Sequence, residues 1–309
     1  MSAVAGHAPD SACPSDAATA EVDEQRSPKI FGGHRRPNPY DHSSLARAHS
    51  SYAAYGNGKL VSPFELARPV SAAQEFVHDN LRALVLNPRF SCVGAKSAVL
   101  RGYYRHGLYG TMTSPEATMG LARDLFTFVE DQTAFDDGGF STFVASFTDP
   151  PTASEAEFER LLWTQLQQLH DEDRLYFPWD ASVSSDPNDG SFSFSFAERA
   201  FFVVGLHPAS SRLARRFAFP TLVFNAHYQF ERLRAQGRFS KIQQAIQQRE
   251  LALQGSLNPN LSNFGEGSDA RQYSGRPVEE DWRCPFQTRL KQIEAEMNAD
   301  ETNADGSTQ

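Results

Sequence analysis

The sequence predicts an α+β fold, a mainly antiparallel sheet packed with helices in a single domain with disordered tails. Three observations predict it. Three segments open with helix-capping residues and continue with an apolar stripe at helical spacing. Short aromatic and β-branched runs lie between and after them. Both ends are too polar to join a core.

Ser71-x-x-Gln74 has the pattern of a capping box, and behind it Ala73, Val77, Leu81 and Leu84 share a face until Asn87-Pro88 stops the helix. Ser114-Pro115-Glu116 starts a second helix, with Pro at its first position and a stripe of Leu121, Leu125, Phe128 and Val129. Ser154-x-x-Glu157 starts a third, with Phe158, Leu161, Leu162, Leu166 and Leu169 on one face. Strands are expected at residues 140–147, 200–206 and 219–224, and at Phe192, Phe194 and Phe196, which alternate with serines. The uninterrupted apolar run at 200–206 suits a central strand, and its short link to Phe196 permits a hairpin. Helices are expected at 228–235 and 241–253, followed by a long irregular segment to Phe286 and a short surface helix at 288–297. Residues 1–62 read as a disordered extension, 63–297 as the domain and 298–309 as a disordered tail.

Of 309 residues, 24 are Phe, enough either to fill a core or to line a pocket for a flat apolar cofactor. A net charge of −9 argues against a general nucleic-acid binder. No apolar run approaches the roughly 20 residues that span a membrane. The N-terminus lacks a basic-then-apolar pattern, and the three cysteines (Cys13, Cys92, Cys284) form no C-x-x-C pair. A cytoplasmic location with reduced thiols is therefore expected.

Several residues are candidates for chemistry. Cys92 follows a helix stop, and both a buried inert thiol and a thiolate ligand to heme iron fit it; Gly94 nearby would admit a flat macrocycle. His207 ends the apolar run before Pro208, where a structural histidine, an axial or distal heme residue and a general base are all compatible; His227 carries the same ambiguity. Arg212, Arg215 and Arg216 form a basic cluster suited to carboxylates such as heme propionates, or to a solvated face. Glu266 and Asp269 lie in the irregular segment and suit a guanidinium. Cys284 is a second thiol, beside Pro285. No phosphate loop, zincin, nucleophile-elbow or dinucleotide motif is present.

Several blocks resemble the YqcI/YcgG family. They are Phe90-Ser-Cys92-x-x-Gly94, His207-Pro-Ala-Ser-Ser-Arg212, the stretch from Phe219 to Asn225-x-His227, Gln254-Gly-Ser-x-Asn258-Pro, Ala270-Arg-Gln-Tyr273-Ser-Gly275 and Trp282-x-Cys284-Pro-Phe286. Characterised members, in the D-cycloserine and guanitoxin pathways, are heme-dependent N-hydroxylases of guanidino groups. The resemblance implies heme b as cofactor, Cys92 as the axial iron ligand with His207 and Cys284 as alternatives, and His207 and His227 as catalytic candidates. It further implies Gly94, Arg212 and Arg216 around the cofactor, and Asn225, Glu266 and Asp269 around the substrate. The activity implied is monooxygenation of arginine or an arginine-derived molecule, using molecular oxygen and an external electron donor. A heme-binding sensor or carrier, or a non-catalytic domain, is the alternative.

Overall fold

The computed structural model describes residues 35–63, 69–132, 139–261 and 265–289. The helices are α1 (Ser44–His49), α2 (Ala72–Leu86), α3 (Val93–Arg101), α4 (Pro115–Asp131), α5 (Glu155–Asp173), α6 (His227–Ala235), α7 (Phe239–Gln254) and α8 (Ala270–Tyr273). The strands are β1 (Ala53–Gly56), β2 (Lys59–Val61), β3 (Tyr104–Thr111), β4 (Thr142–Asp149), β5 (Phe194–Phe196), β6 (Arg199–Leu206) and β7 (Thr221–Ala226). They form one sheet in the order β2-β1-β3-β4-β7-β6-β5. Every pairing is antiparallel except β3 with β4, which are parallel and joined through α4.

The three capped helices form as the sequence predicts. Ser71, Ser114 and Ser154 each accept a hydrogen bond from the backbone N–H three residues on. Gln74 does not close its capping box. Its amide donates instead to the carbonyls of Ser51 (2.8 Å) and His106 (3.2 Å), tying α2 to the sheet. The expected β5–β6 hairpin is present; Ala197 and Glu198 turn it with φ of 51° and 60°, the pattern of a type I′ turn. Ser193 and Ser195 do not face water as the alternation implied: both are buried, and Ser195 Oγ accepts from Asp180 N at 2.9 Å. The run at 200–206 lies in β6, second from the sheet edge rather than central.

Residues 35–62, expected within a disordered extension, are folded. Residues 1–34 lie outside the described residues, but from Arg35 the chain packs on the domain. Tyr40 is fully buried among Phe126, Tyr176 and Phe196, and β1 adds to the sheet beside β3. Polar composition hid this because the arm is held by buried carboxylates. Asp124 accepts from Ser50 Oγ (2.6 Å), Ser51 N (2.6 Å) and Tyr109 OH (2.8 Å). Asp131 accepts from Tyr52 OH (2.6 Å), Arg105 Nε (3.3 Å) and Arg35. At the far end Thr288 and Arg289 are not helical, and the rest of the helix expected there and the tail lie outside the described residues.

The two faces of the sheet are unlike. On one, Phe143, Phe147, Phe201, Leu222 and Phe224 are fully buried beneath α4 and α5. On the other, α2 and α3 cover only part of the surface.

Candidate functional site

That second face is defined by strand register. Its rows run Tyr104–Thr142–Asn225–Phe202, His106–Val144–Val223–Val204 and Leu108–Ser146–Thr221–Leu206, across β3, β4, β7 and β6. Each row spans three strand spacings, about 14 Å. At its middle the side chains are small and mostly β-branched, and their hydroxyls are satisfied within the sheet: Thr221 Oγ1 donates to Ser146 Oγ (3.0 Å) and Thr142 Oγ1 to the Phe224 carbonyl (3.0 Å). Leu108, Val204, Val223, Asn225 and Phe202 are half-buried, whereas the alternate residues Val203, Leu222 and Phe224 are fully enclosed. The face is thus a largely apolar floor, enclosed over Tyr104, His106, Val144, Ser146, Thr221 and Leu206 and half-buried at Leu108, Phe202, Val204, Val223 and Asn225.

Cys92 stands at one margin of this floor. It caps α3, with Ala95 N–H donating to its Sγ at 3.4 Å, and it packs, half-buried, against the apolar cluster that holds Val144, Leu206 and Phe217. Burial pushes its thiol up, opposed by the N–H groups of Ala95 and Gly94 and by the Arg215 charge. A helix N-terminus favours an anion, so this sulfur is held where a metal could take it as thiolate. Gly94 is not a cradle for a ring. A Cβ built there would meet the Phe140 ring at 3.5 Å, an ordinary contact.

The basic cluster lies beside Cys92, but its members differ. Arg212 is buried and committed: its Nε and Nη2 donate to Glu250 Oε1 (3.2 and 2.5 Å), and Nη1 and Nη2 donate to the Ser256 hydroxyl and carbonyl (3.1 and 2.6 Å). Its fork is thus already filled within the chain. Arg216 is exposed, with Nε donating to the Ser210 carbonyl at 2.9 Å. Arg215 faces inward.

His207 does not stand opposite Cys92. It is fully buried, its ring stacked on Phe158 of α5 at 4.2 Å, on the aromatic face of the sheet. Neither ring nitrogen has a hydrogen-bond partner, and burial lowers its pKa to about 4, so it is neutral. Strand alternation places His207 on the face opposite the floor: residues 201, 203, 205 and 207 point away from it. Cys284 also belongs to the aromatic side, near Trp163 and Phe286, where burial pushes its thiol up to about 12.

The remaining candidates gather at the opposite end of β6 and β7, on the order of 20 Å away by strand rise. His227 opens α6, with Nδ1 3.4 Å from Ser193 Oγ and Nε2 3.2 Å from Glu231. Ser193 Oγ donates to Asp269 Oδ2 at 3.1 Å, so the fold links His227 and Asp269 through one serine. Asp269 is buried, and burial raises its pKa to about 7. Glu266 is exposed. Asn225 lies on the floor itself, its amide donating to the carbonyls of Phe202 (3.3 Å) and Val223 (3.4 Å).

Two residues of the floor's far margin escaped sequence reasoning. His106 is fully buried with both ring nitrogens unpartnered, 5.6 Å by ring centroid from His78. His78 Nε2 lies 2.7 Å from the Tyr104 hydroxyl, and burial lowers its pKa to about 3. The alternation Tyr104-x-His106-x-Leu108 was the available signal; it was obscured because the other face of β3 is buried too. Among the described residues no three His, Cys, Asp or Glu side chains group as a metal site. No helix among them is long and apolar enough to cross a membrane.

Fold and site together define an α+β domain with one aromatic, closed sheet face and one partly covered face edged by a helix-capping cysteine. The YqcI/YcgG family profile matches residues 81–287, two thirds of the chain, and the protein belongs to that family. The match begins within α2 and leaves the N-terminal arm outside it. No curated protein gives a significant match, and no solved structure does.

Proposed function

We propose that this protein binds heme b on the partly covered sheet face, with the Cys92 thiolate as axial ligand, and hydroxylates a guanidino nitrogen of arginine or an arginine-derived molecule. The observation that carries the reading is the position of Cys92: the one cysteine among the described residues packed against the floor's apolar cluster, at a helix N-terminus, within a family block. The floor's hydroxyls need no further partner, and a planar group would lie along its half-buried strip of Phe202, Val204, Val223 and Asn225. When bound, a thiolate-ligated heme supplies activation of molecular oxygen with electrons from an external donor. Around it, the chain's residues bind and orient. Val204 and Val223 would shield the floor from water, the Ala95 and Gly94 N–H groups oppose the burial that raises the Cys92 thiol and so favour the thiolate an iron would take, and Asn225 is the polar group of the floor that a substrate would meet. His106, on the same face, is enclosed under α2, and His227 and Asp269 belong to a separate buried cluster, so neither is assigned a step.

The test is the absorption spectrum of protein expressed in heme-supplied cells. A Soret band is expected, with the red-shifted ferrous carbon monoxide band of a thiolate ligand, and Cys92→Ala should remove that red shift. A colourless protein sinks the reading. A band that survives Cys92→Ala moves the ligand elsewhere. Heme loading without turnover of arginine or other guanidines, given a chemical reductant or peroxide, favours a sensor or carrier.

A further inference from the structure

We propose that Arg215 anchors a carboxylate of the ligand at the Cys92 end of the floor. The role expected of Arg212 and Arg216 thus falls to the residue between them; only the identity of the carboxylate rests on the heme reading above.

Arg215 ends the short turn Leu213–Arg215 and is fixed by its backbone: its N–H donates to the Arg212 carbonyl (2.9 Å) and its carbonyl accepts from His207 N (3.0 Å). Its side chain lies along Gly275. A Cβ there would fall 2.6 Å from Arg215 Cδ and 3.0 Å from Nη1, and Gly275 has φ of +84°, so this position requires glycine on both counts. The Tyr273-Ser-Gly275 block thereby forms a slot for a guanidinium. In that slot Nη1 donates to the Tyr273 carbonyl at 2.9 Å, the side chain's one hydrogen bond among the described residues, and Arg215 forms no ion pair with them.

The carboxylates whose charge acts on it, Glu250 and Glu155, form no ion pair with it. Glu250 is held by Arg212, and Glu155 accepts from Ser211 N (2.8 Å) and Oγ (2.7 Å). Burial accordingly lowers the Arg215 pKa to about 10, even though Glu250 pulls the other way. Arg215 is half-buried, and a partly desolvated guanidinium without a paired anion favours a carboxylate in its fork. Ala214, the residue before it, packs against the same apolar cluster as Cys92, and the Arg215 charge acts on the Cys92 sulfur. Two carboxylates fit this chemistry: a heme propionate and the α-carboxylate of an arginine-like substrate.

The experiment compares wild type, Arg215→Gln and Arg215→Lys by two ratios. The first is retention of heme b against retention of its dimethyl ester, measured by transfer to apomyoglobin. The second is affinity for arginine against agmatine, its decarboxylated form, measured by calorimetry. If Arg215 holds a propionate, Arg215→Gln weakens heme b retention about 10- to 100-fold and leaves the ester unchanged. If it holds substrate, arginine affinity falls by a similar factor and agmatine affinity does not. Arg215→Lys, which keeps the charge and loses the fork, should show a smaller change in the same ratio, and it decides the matter should the Gln variant not fold. Both ratios unchanged in a folded variant overturn the proposal. A wild type without a Soret band refutes the heme reading alone. The arginine–agmatine ratio then still decides for Arg215, and a wild type that does not distinguish the two refutes this proposal as well.

Discussion

Deleting residues 1–62 removes an arm that the domain needs. The lost residues include Tyr40, Tyr52 and Tyr55, which are 0%, 4% and 9% exposed, and the whole of β1 and β2. Removing a buried aromatic costs about 3–5 kcal/mol, so the three tyrosines alone amount to about 10 kcal/mol. Two buried carboxylates then lose partners: Asp124 loses Ser50 and Ser51, and Asp131 loses Tyr52 and Arg35. Asp124 keeps Tyr109 and Asp131 keeps Arg105, but each lost hydrogen bond to a buried carboxylate costs about 1.5–3 kcal/mol more. The sum exceeds the roughly 5–15 kcal/mol by which domains are stable. A chain beginning at Pro63 is therefore expected to be insoluble or to lack cooperative unfolding, although it contains the whole family match. A chain beginning at Arg35 keeps every contact named and serves as the control. The assay is near-UV circular dichroism with thermal unfolding of both. A Pro63 chain that melts cooperatively within about 5 °C of the control, a difference of one or two kcal/mol, would refute the accounting.

Other predictions concern single residues. Asp173 is buried under Tyr40 and accepts from Ala197 N at 2.9 Å, and burial raises its pKa to about 8. The folded chain thus holds a proton that the unfolded chain releases near pH 4, so this group's contribution to stability falls as pH rises from about 4 to about 8. Asp173→Asn should flatten that fall by an amount on the order of a few kcal/mol, seen as convergence or crossing of melting curves at pH 5 and pH 8.5; parallel profiles would contradict it. Arg212→Met strands Glu250 and should destabilise by about 3 kcal/mol in urea unfolding, with Glu250→Leu added to it restoring part of the loss. Gly94→Ala should be neutral or stabilising by up to about 1 kcal/mol, since its Cβ meets only an ordinary contact within a helix; a clear loss would restore Gly94 as a special position. Gly275→Ala, by contrast, should lower stability and shift the Arg215 ratios in the direction of Arg215→Lys.

The helices and the hairpin were legible because their signals are local. A serine cap, a proline at the first turn and a stripe at helical spacing act within a few residues, and α2, α4 and α5 follow them. β3 and the arm were not legible. β3 is buried on both faces and carries Arg105, fully enclosed against Asp131, so neither alternation nor apolarity marks it. The arm is polar in composition, and its order comes from carboxylates some 70 to 130 positions away in sequence, such as Asp124 for Ser50 and Asp173 for Tyr40. The site residues divide in the same way. Cys92 could be singled out because its block is distinctive. The choice among three arginines could not be made, because it depends on Glu250 and Gly275, which only the fold brings to them.

Strand register then explains why the named residues cannot all serve one centre. Cys92 and Arg215 meet at the end of the floor where Leu206 and Thr221 pair, whereas His227 lies beyond the other end, where Phe201 pairs with Ala226. His207 shares the first end but points to the opposite face, against Phe158. A ligand anchored at Cys92 and Arg215 would reach along the floor toward Asn225 without touching His207, His227 or Asp269. Substitutions at those three should accordingly act on stability or on the docking of α8, and substitutions at Cys92, Arg215, Val223 and Asn225 on the ligand. Turnover lost in a folded, fully heme-loaded His227→Gln protein would break this division and bring the Ser193–Asp269 cluster into the reaction.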